Sequence, residues 1–533
     1  MSKSGFDGYL PFWKITRLQF FTILVRYWTL PWIPVMGRRF RHRKFIPPIE
    51  DQILLISATD LAEMIRKQEI TSEYVVKVYI NRIKAVNPVI NALCDDRFDD
   101  ALNDAKAADE LCIQSKPEFL QKKYPLLGVP FTVKVTIEVQ GLNTHAGVVS
   151  RKNIISERDA EAVEYLRKAG AIPLCMSNAP EWAMSFETHN KIIGHTLNPY
   201  DTRRSPGGSS GGDSALIASA ASLFGIGSDF MGSCRLPAMF CGIFGHRPTT
   251  PLVSIKGCVP EIDNELVNTI VTFGPLCRYA KDLPVIFKAM IGPNTKLIDL
   301  DTPVDMKSIK VYYPISYGKK SLEMISFDKE ILHYIQLVVD ALSQNGALCE
   351  ILKIPFYRLN EKVSSKFMDI PTRVLTHFSE IPPGPNRPIL KEYWKWCRGK
   401  PDHCINSIHV EWSIRTYKDH IKPEARIQYK KSLAEFENEL KVLLDGSSIL
   451  ILPTFPTAAY HHYTTPIISP SILYLLIPSI LNLPATSVPL GLNKKGLPIG
   501  IQIIAGQFQD RLCFAVAQFL EEKFGGWIQP PNE

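Results

Sequence analysis

SPGGSSGGDSALIASAASLFGIGSDFMGSCRLPAMFCGIFGHRP, residues 205–248, is the stretch whose reading decides the rest of the 533-residue chain. It holds two small-residue turns, Gly207-Gly208-Ser209-Ser210-Gly211-Gly212 and Ser228-Asp229-Phe230-Met231-Gly232-Ser233. Between them the almost uncharged Ala/Ser/Leu/Ile run 214–224 predicts a buried helix. Glycines on both sides of a serine pair let the backbone take positive φ and approach a ligand closely. Successive N–H groups in such turns converge on an anion or a developing oxyanion. A Gly/Ser linker has a similar composition, but linkers do not run into a long apolar helix and a second turn of the same kind.

These residues resemble the amidase signature family, serine hydrolases that use a Ser–Ser–Lys triad. The likeness rests on GGSSGG at 207–212, on GSD and GS across 227–233, and on RLPAMFCGIFGHRPT at 235–249. Upstream, Gly128-Val129-Pro130-Phe131-Thr132-Val133-Lys134 looks like the strand that carries the family's lysine. Lys134 stands 75 positions before Ser209, and Ser233 stands 24 after it, the separations of the family pattern. The likeness runs from Ile56 to Trp527 and is strongest toward the animal fatty-acid amide hydrolases, the type 2 form above all. It implies an α/β amidase-signature fold, a central mixed β-sheet sandwiched between α-helical layers.

The resemblance also implies the catalytic residues. A serine hydroxyl is a poor nucleophile until a base takes its proton. A lysine can be that base when burial disfavours its charged form, and Lys134 lies among Phe131, Thr132, Val133 and Val135. Ser209 would bridge Lys134 to the nucleophile Ser233, and the turn Phe230-Met231-Gly232, with Ser210 beside it, would hold the oxyanion and substrate. Two positions depart from the family. Met231 stands where Gly is usual before Gly232, so a Cβ there is expected to strain the turn or narrow an acyl pocket. Val135 replaces a common acidic residue after the lysine.

Composition bounds the alternatives. At 533 residues, 45% hydrophobic and 21% charged, the chain is globular and long enough for a large core. A net charge of +8 without a basic, aromatic-interleaved stripe argues against nucleic acid. Eleven cysteines without CxxC pairs point to reduced thiols on a cytosolic face.

Residues 1–48 differ in kind from residues 49–533, the expected catalytic domain. FFTILVRYWTLPWIPVMG at 20–37 carries one charge, Arg26, and is followed by the basic run Arg38 to Lys44. Pro31 and Pro34 interrupt it, and it is slightly short for a span. Trp and Tyr beside a basic cluster nevertheless suit a membrane interface, so an N-terminal membrane anchor, spanning or hairpin-like, is expected.

From Ser57 onward, cap signals at Ser57 and Thr71 precede amphipathic helices, the second ended by Pro88. Residues 97–121 read as a surface helix and loop, 125–137 and 172–176 as strands, and 159–169 as a helix. Strands at 309–313 and 346–351 flank a helix at 328–345. Alternating strands and helices imply a mixed or parallel sheet covered on both faces. The apolar stretch 467–490 is broken by Pro470, Pro478, Pro484 and Pro489, which favours buried core over a membrane span. Leu390 to Lys418, rich in Trp and basic residues, lies where the family carries a lipid-dipping helical cap. A solvated amphipathic pair fits it equally.

Gly225-Ile-Gly227 lacks the third glycine of a dinucleotide site. His403, Cys404, His409, His461 and His462 fit no zinc spacing, so neither metal nor cofactor is expected. The expected activity is hydrolysis of fatty-acid amides by a membrane-associated, intracellular enzyme through an acyl-enzyme, at the endoplasmic reticulum or a lipid droplet. Membrane lipid is its expected partner, and a homodimer is left open. A general small-amide amidase and a lipid-binding relative with impaired catalysis are the alternatives.

Overall fold

The computed structural model describes residues 40–262, 264–314, 327–352, 389–399, 403–408, 410, 423–465 and 473–533. An 11-stranded mixed sheet organises them. In chain order its strands are β1 (Leu93–Asp96), β2 (Pro130–Lys134), β3 (Ile172–Ser177), β6 (Phe224–Asp229), β7 (Phe244–Arg247), β8 (Thr272–Cys277), β9 (Lys310–Tyr313), β10 (Leu348–Ile351), β11 (Ser448–Pro453), β12 (Ala485–Leu492) and β13 (Pro498–Ala505). A separate two-stranded ribbon pairs β4 (His189–Asn190) with β5 (Gly194–His195). The spatial order is β1-β3-β2-β6-β8-β7-β12-β13-β11-β9-β10. The trio β3-β2-β6 is parallel, as are β11-β9-β10, and the strands between them are antiparallel.

Strands in the middle of the sheet read as unbroken apolar or small-residue runs, because helices cover both of their faces. β2, β3, β6, β8 and β13 are buried at every position. Helices Ser72–Ile90, Gly211–Ala218, Arg235–Phe240 and Asp510–Phe524 pack against them. The amphipathic helices start at the predicted caps. Ser57 Oγ accepts from Asp60 N–H, and Thr71 Oγ1 accepts from Tyr74 N–H.

Two boundaries differ from the sequence reading. The helix expected to stop at Pro88 continues to Ile90 and ends on Asn91 in the left-handed region, φ 51°. Asn87 makes this workable, because its Oδ1 accepts the N–H groups of Ala92 and Leu93 just past the helix end. The buried helix expected over 214–224 instead spans Gly211–Ala218. Ala220 takes φ 58° and the small residues that follow turn the chain back into β6. Of the proline-rich stretch 467–490, the described part is core. Leu473–Ile480 is a helix whose residues from Tyr474 onward are buried, and β12 lies inside the sheet.

The N-terminal residues 1–39 and residues 411–422 lie outside the described residues. Among those described, no helix is long and apolar enough to cross a membrane.

Candidate active site

The three parallel strands β3, β2 and β6 bring their C-terminal ends to one edge of the sheet, and the site is built there. Lys134 is the last residue of β2 and is wholly buried. Its Nζ lies 2.7 Å from Ser209 Oγ and 2.8 Å from Ser228 Oγ. Ser209 sits on the turn before the helix Gly211–Ala218, after a cis Gly208–Ser209 peptide. Ser228 is the next-to-last residue of β6, the strand beside β2. Register makes this meeting possible. Thr132 and Val133 pair with Gly225 and Ile226, so continuing both strands carries Lys134 and Ser228 to the same rim.

Burial decides the lysine's chemistry. Removal from water pushes the Lys134 ammonium down to about 8, against the opposing pull of Cys234, Asp213, Cys258 and Asp229. A group near that value supplies a neutral amine close to physiological pH. Val135, where the family commonly has an acid, is fully buried and adds to the dry surroundings. Asp213 lies in the same interior, its Oδ1 accepting from Thr132 Oγ1 at 3.0 Å. Burial raises its carboxyl to about 6 despite hydrogen bonds from Ser177 and Thr132.

The second turn brings Ser233 against the first. Ser210 N–H donates to Ser233 O at 3.1 Å. Ser210 Oγ is buried without a hydrogen-bond partner among the described residues, and a Cβ on Gly227 would stand 2.6 Å from it. Gly232 takes φ +97°, and a Cβ there would collide with Leu475. That requirement falls on Gly232 alone. Met231 keeps a negative φ, so its side chain does not strain the turn as its position had suggested. Half-buried, Phe230 and Met231 pack on an apolar cluster that includes Tyr474, Leu476, Ile477 and Val267.

The backbone donors of this turn are divided in a way the sequence did not show. Gly232 N–H donates to Asp229 Oδ1 at 2.8 Å, and Cys234 N–H to Asp229 Oδ2 at 3.1 Å. Asp229 in turn receives Arg235 Nε and Nη2, at 3.1 and 3.0 Å, and lies 3.6 Å from Arg247 Nη1. All three side chains are fully buried. Burial pushes the Asp229 carboxyl up, but the two guanidiniums outweigh it and hold the group below the usual carboxylate range. Arg235 reaches further, to Gln502 Oε1 of β13 at 2.7 Å, Leu475 O at 2.9 Å and Ser479 Oγ at 3.0 Å. Asp229→Ala would leave two buried guanidiniums unbalanced and is expected to destabilise the fold by about 3–5 kcal/mol. Chemical denaturation of the variant beside the parent checks this.

The histidines weighed as ligands go to different partners. His403 Nδ1 faces Glu181 Oε1 at 2.5 Å, and Cys404 N–H donates to the same carboxylate. His461 Nδ1 meets Arg203 O, while His409 lies outside the described residues. Glu187, His195 and His462 form the one close grouping of three ligand-type side chains among the described residues. Its carboxylate already receives His462 Nδ1 at 2.7 Å, Tyr463 N–H at 2.9 Å and Thr465 Oγ1 at 3.3 Å. This is a hydrogen-bonded cage rather than an open ligand set.

The amidase family profile matches residues 74–514. The chain belongs to the amidase family. Within it the chain is 38% identical over 494 residues to fatty-acid amide hydrolase 2-A of Danio rerio, covering 91% of this chain and 92% of that one. It is 37% identical to fatty-acid amide hydrolase 2 of Homo sapiens with the same coverage. Among solved structures, 6-aminohexanoate cyclic dimer hydrolase superposes with a TM-score of 0.72 at 22% identity, covering 90% of this chain and 99% of that one. A fatty acid amide hydrolase structure superposes at 0.68 and 21%, covering 91% and 88%. These two likenesses show the amidase fold, a large mixed sheet flanked by helices. The protein is an amidase-family hydrolase. Sequence reading named Lys134, Ser209 and Ser233, and the structure puts Lys134 on Ser209 and the backbone of Ser233 beside Ser210. It missed Ser228, although the quoted GSD motif contains that residue.

Proposed function

We propose that this amidase is a membrane-associated serine hydrolase that cleaves fatty-acid amides to free fatty acid and amine. The observation that carries the reading is the 2.7 Å contact between Ser209 Oγ and a lysine held fully out of water. In this mechanism Lys134, as neutral amine, takes the Ser209 proton while Ser209 takes that of Ser233. Ser233 Oγ attacks the amide carbonyl. The tetrahedral oxyanion is met by the N–H groups of Met231 and Ser233, for which the described residues hold no acceptor. Gly232 N–H, engaged by Asp229, shapes the turn. The proton returns through Ser209 to the leaving nitrogen, the C–N bond breaks, and amine departs from the acyl-enzyme. Water then attacks the ester by the same relay, giving the carboxylic acid and restoring Ser233.

The acyl specificity is supported by the kinship with type 2 fatty-acid amide hydrolases and by the apolar cluster against Phe230 and Met231. Hydrolysis by the purified protein of oleoyl amide and oleoyl ethanolamide, against acetyl and butyryl amides, tests it. Faster turnover of the oleoyl compounds is expected. Turnover confined to the short amides would replace this reading with a general amidase.

Residues 1–48 are proposed as membrane anchor and basic linker, and 49–533 as the catalytic domain. An intracellular membrane with the catalytic domain on its cytosolic side fits the free thiols found at the described cysteines. Deleting residues 1–39, which keeps Phe40 on the body of the protein, is expected to move the protein from the membrane pellet to the supernatant with oleoyl amide hydrolysis still measurable. A truncated protein that sediments wholly with membranes at moderate salt would place the anchor elsewhere.

A further inference from the structure

The Lys134–Ser209 contact is only as good as the placement of the Gly207–Gly211 turn, and one neighbouring segment grips that turn from both sides. Thr188 Oγ1 donates to Gly207 O at 2.9 Å and accepts from Gly211 N–H at 3.1 Å. One hydroxyl thus ties the backbone two residues before Ser209 to the backbone two residues after it. Its single proton and an acceptor lone pair are both used. Gly211 N–H is also one of the donors that the start of the following helix leaves unsatisfied. The fit is close as well as polar. A Cβ on Gly208 would stand 2.5 Å from Ser185 O and 2.9 Å from Glu187 N, and one on Gly211 would stand 2.3 Å from Thr188 Oγ1.

The grip is itself anchored. Glu187, next in the chain to Thr188, is fully buried. Its carboxylate is held from residues 462–465 by His462 Nδ1, Tyr463 N–H and Thr465 Oγ1. His195 Nδ1 approaches Oε1, the oxygen that faces His462 Nδ1, at 3.5 Å. Burial pushes this carboxyl up, but the hydrogen bonds from His195 and His462 outweigh it and keep it an anion. Phe40 closes the outside of the cage, its ring centroid 4.2 Å from that of His462 and 5.1 Å from that of His195. Tyr460, two residues before His462, hydrogen-bonds Phe186 O through its hydroxyl, and Tyr460 O accepts Ser205 N–H at 2.9 Å.

We propose that Glu187 and Thr188 are positioning residues for the amidase reaction, the buried carboxylate fixing the segment whose threonine hydroxyl sets Ser209 against Lys134. The proposal rests on the role given to Ser209 above. Neither residue touches the substrate carbonyl in this scheme; both act through the turn. A misplacement of about 1 Å in a relay of this kind costs on the order of 10²-fold in rate.

Thr188→Val keeps the shape and removes the hydroxyl. In the full-length protein it is expected to lower kcat for oleoyl amide and the rate of fluorophosphonate labelling by about 10- to 100-fold. KM should stay within about twofold, and every folded molecule should still label at the end point. Thr188→Ser, which restores the hydroxyl, should recover most of the rate. Glu187→Gln presents an amide to the His462 N–H and should lower kcat in the same direction, which keeps the test open if Thr188→Val does not fold. A folded Thr188→Val with the parent's kcat and labelling rate overturns the proposal. So does a loss that follows only the folded fraction, with unchanged turnover per labelled site. Ser209→Ala in the same assay separates the two layers. An active Ser209→Ala removes the triad reading and this proposal together, whereas an impaired Ser209→Ala beside an unimpaired Thr188→Val removes this proposal alone.

Discussion

Ser233→Ala is expected to abolish fluorophosphonate labelling and to lower amide turnover by on the order of 10⁵- to 10⁶-fold, the scale set by loss of a serine nucleophile. The site offers no substitute. Cys234, the adjacent nucleophile, is fully buried, and burial pushes its thiol up, far from the thiolate form. Ser209 Oγ is committed to Lys134 at 2.7 Å, and Ser228 Oγ approaches the same ammonium at 2.8 Å. The variant should fold as the parent does, since among the described residues no hydrogen bond of the Ser233 side chain holds the turn. Its backbone contact with Ser210 is kept. Intact-protein mass spectrometry after probe treatment, beside a turnover assay, reads both effects. Full activity in the variant would end the assignment of this site.

Lys134→Ala is the second large effect. Proton transfer by a positioned base contributes roughly 10²- to 10⁴-fold, and a loss of that size in kcat is expected. The losses from Lys134→Ala and Ser233→Ala should not add, because the residues of the proposed relay would act as a unit. The pH profile gives an independent reading. The base must be the neutral amine, and burial brings the group down to about 8. The parent's kcat/KM should therefore rise as pH rises through about 8 and level off above it. Lys134→Ala should flatten that limb. A parent profile that falls over this interval would mean that the charged ammonium is the working form.

Much of this was legible in the chain because turn chemistry and spacing are local properties. The glycines around Ser209 and Ser233 mark tight turns whatever surrounds them, and the apolar run before Lys134 marks a buried strand. What stayed hidden was contact across large separations. Arg235 stands in the quoted stretch, but nothing there announces that its guanidinium will reach Gln502, 267 residues on, while holding Asp229 against the Gly232 N–H. Thr188 and Glu187 lie in a segment with no periodicity or motif, and their partners at 207–211 and 462–465 come from elsewhere in the chain. The Pro88 boundary failed for a smaller reason. A proline in the last turn of a helix disturbs only the bonds behind it, and Asn87 supplies acceptors for the chain beyond. Met231 misled because the family's paired glycines suggest two unusual backbone conformations where this turn has one, at Gly232.

The reach of Arg235 sets when a newly made molecule becomes an enzyme. The residues proposed to do the chemistry are all synthesised by position 233, yet the guanidinium that steadies the turn before Ser233 is held by Leu475 O, Ser479 Oγ and Gln502 Oε1. Gln502 lies 267 residues further along the chain. A nascent chain on the ribosome therefore carries a complete set of reacting groups long before it can hold them in register. Loop closure over such a distance is slow and comes late in folding. Hydrolytic power is expected only when the last strands have emerged and joined the sheet, so products of premature termination before Gln502 should be inert.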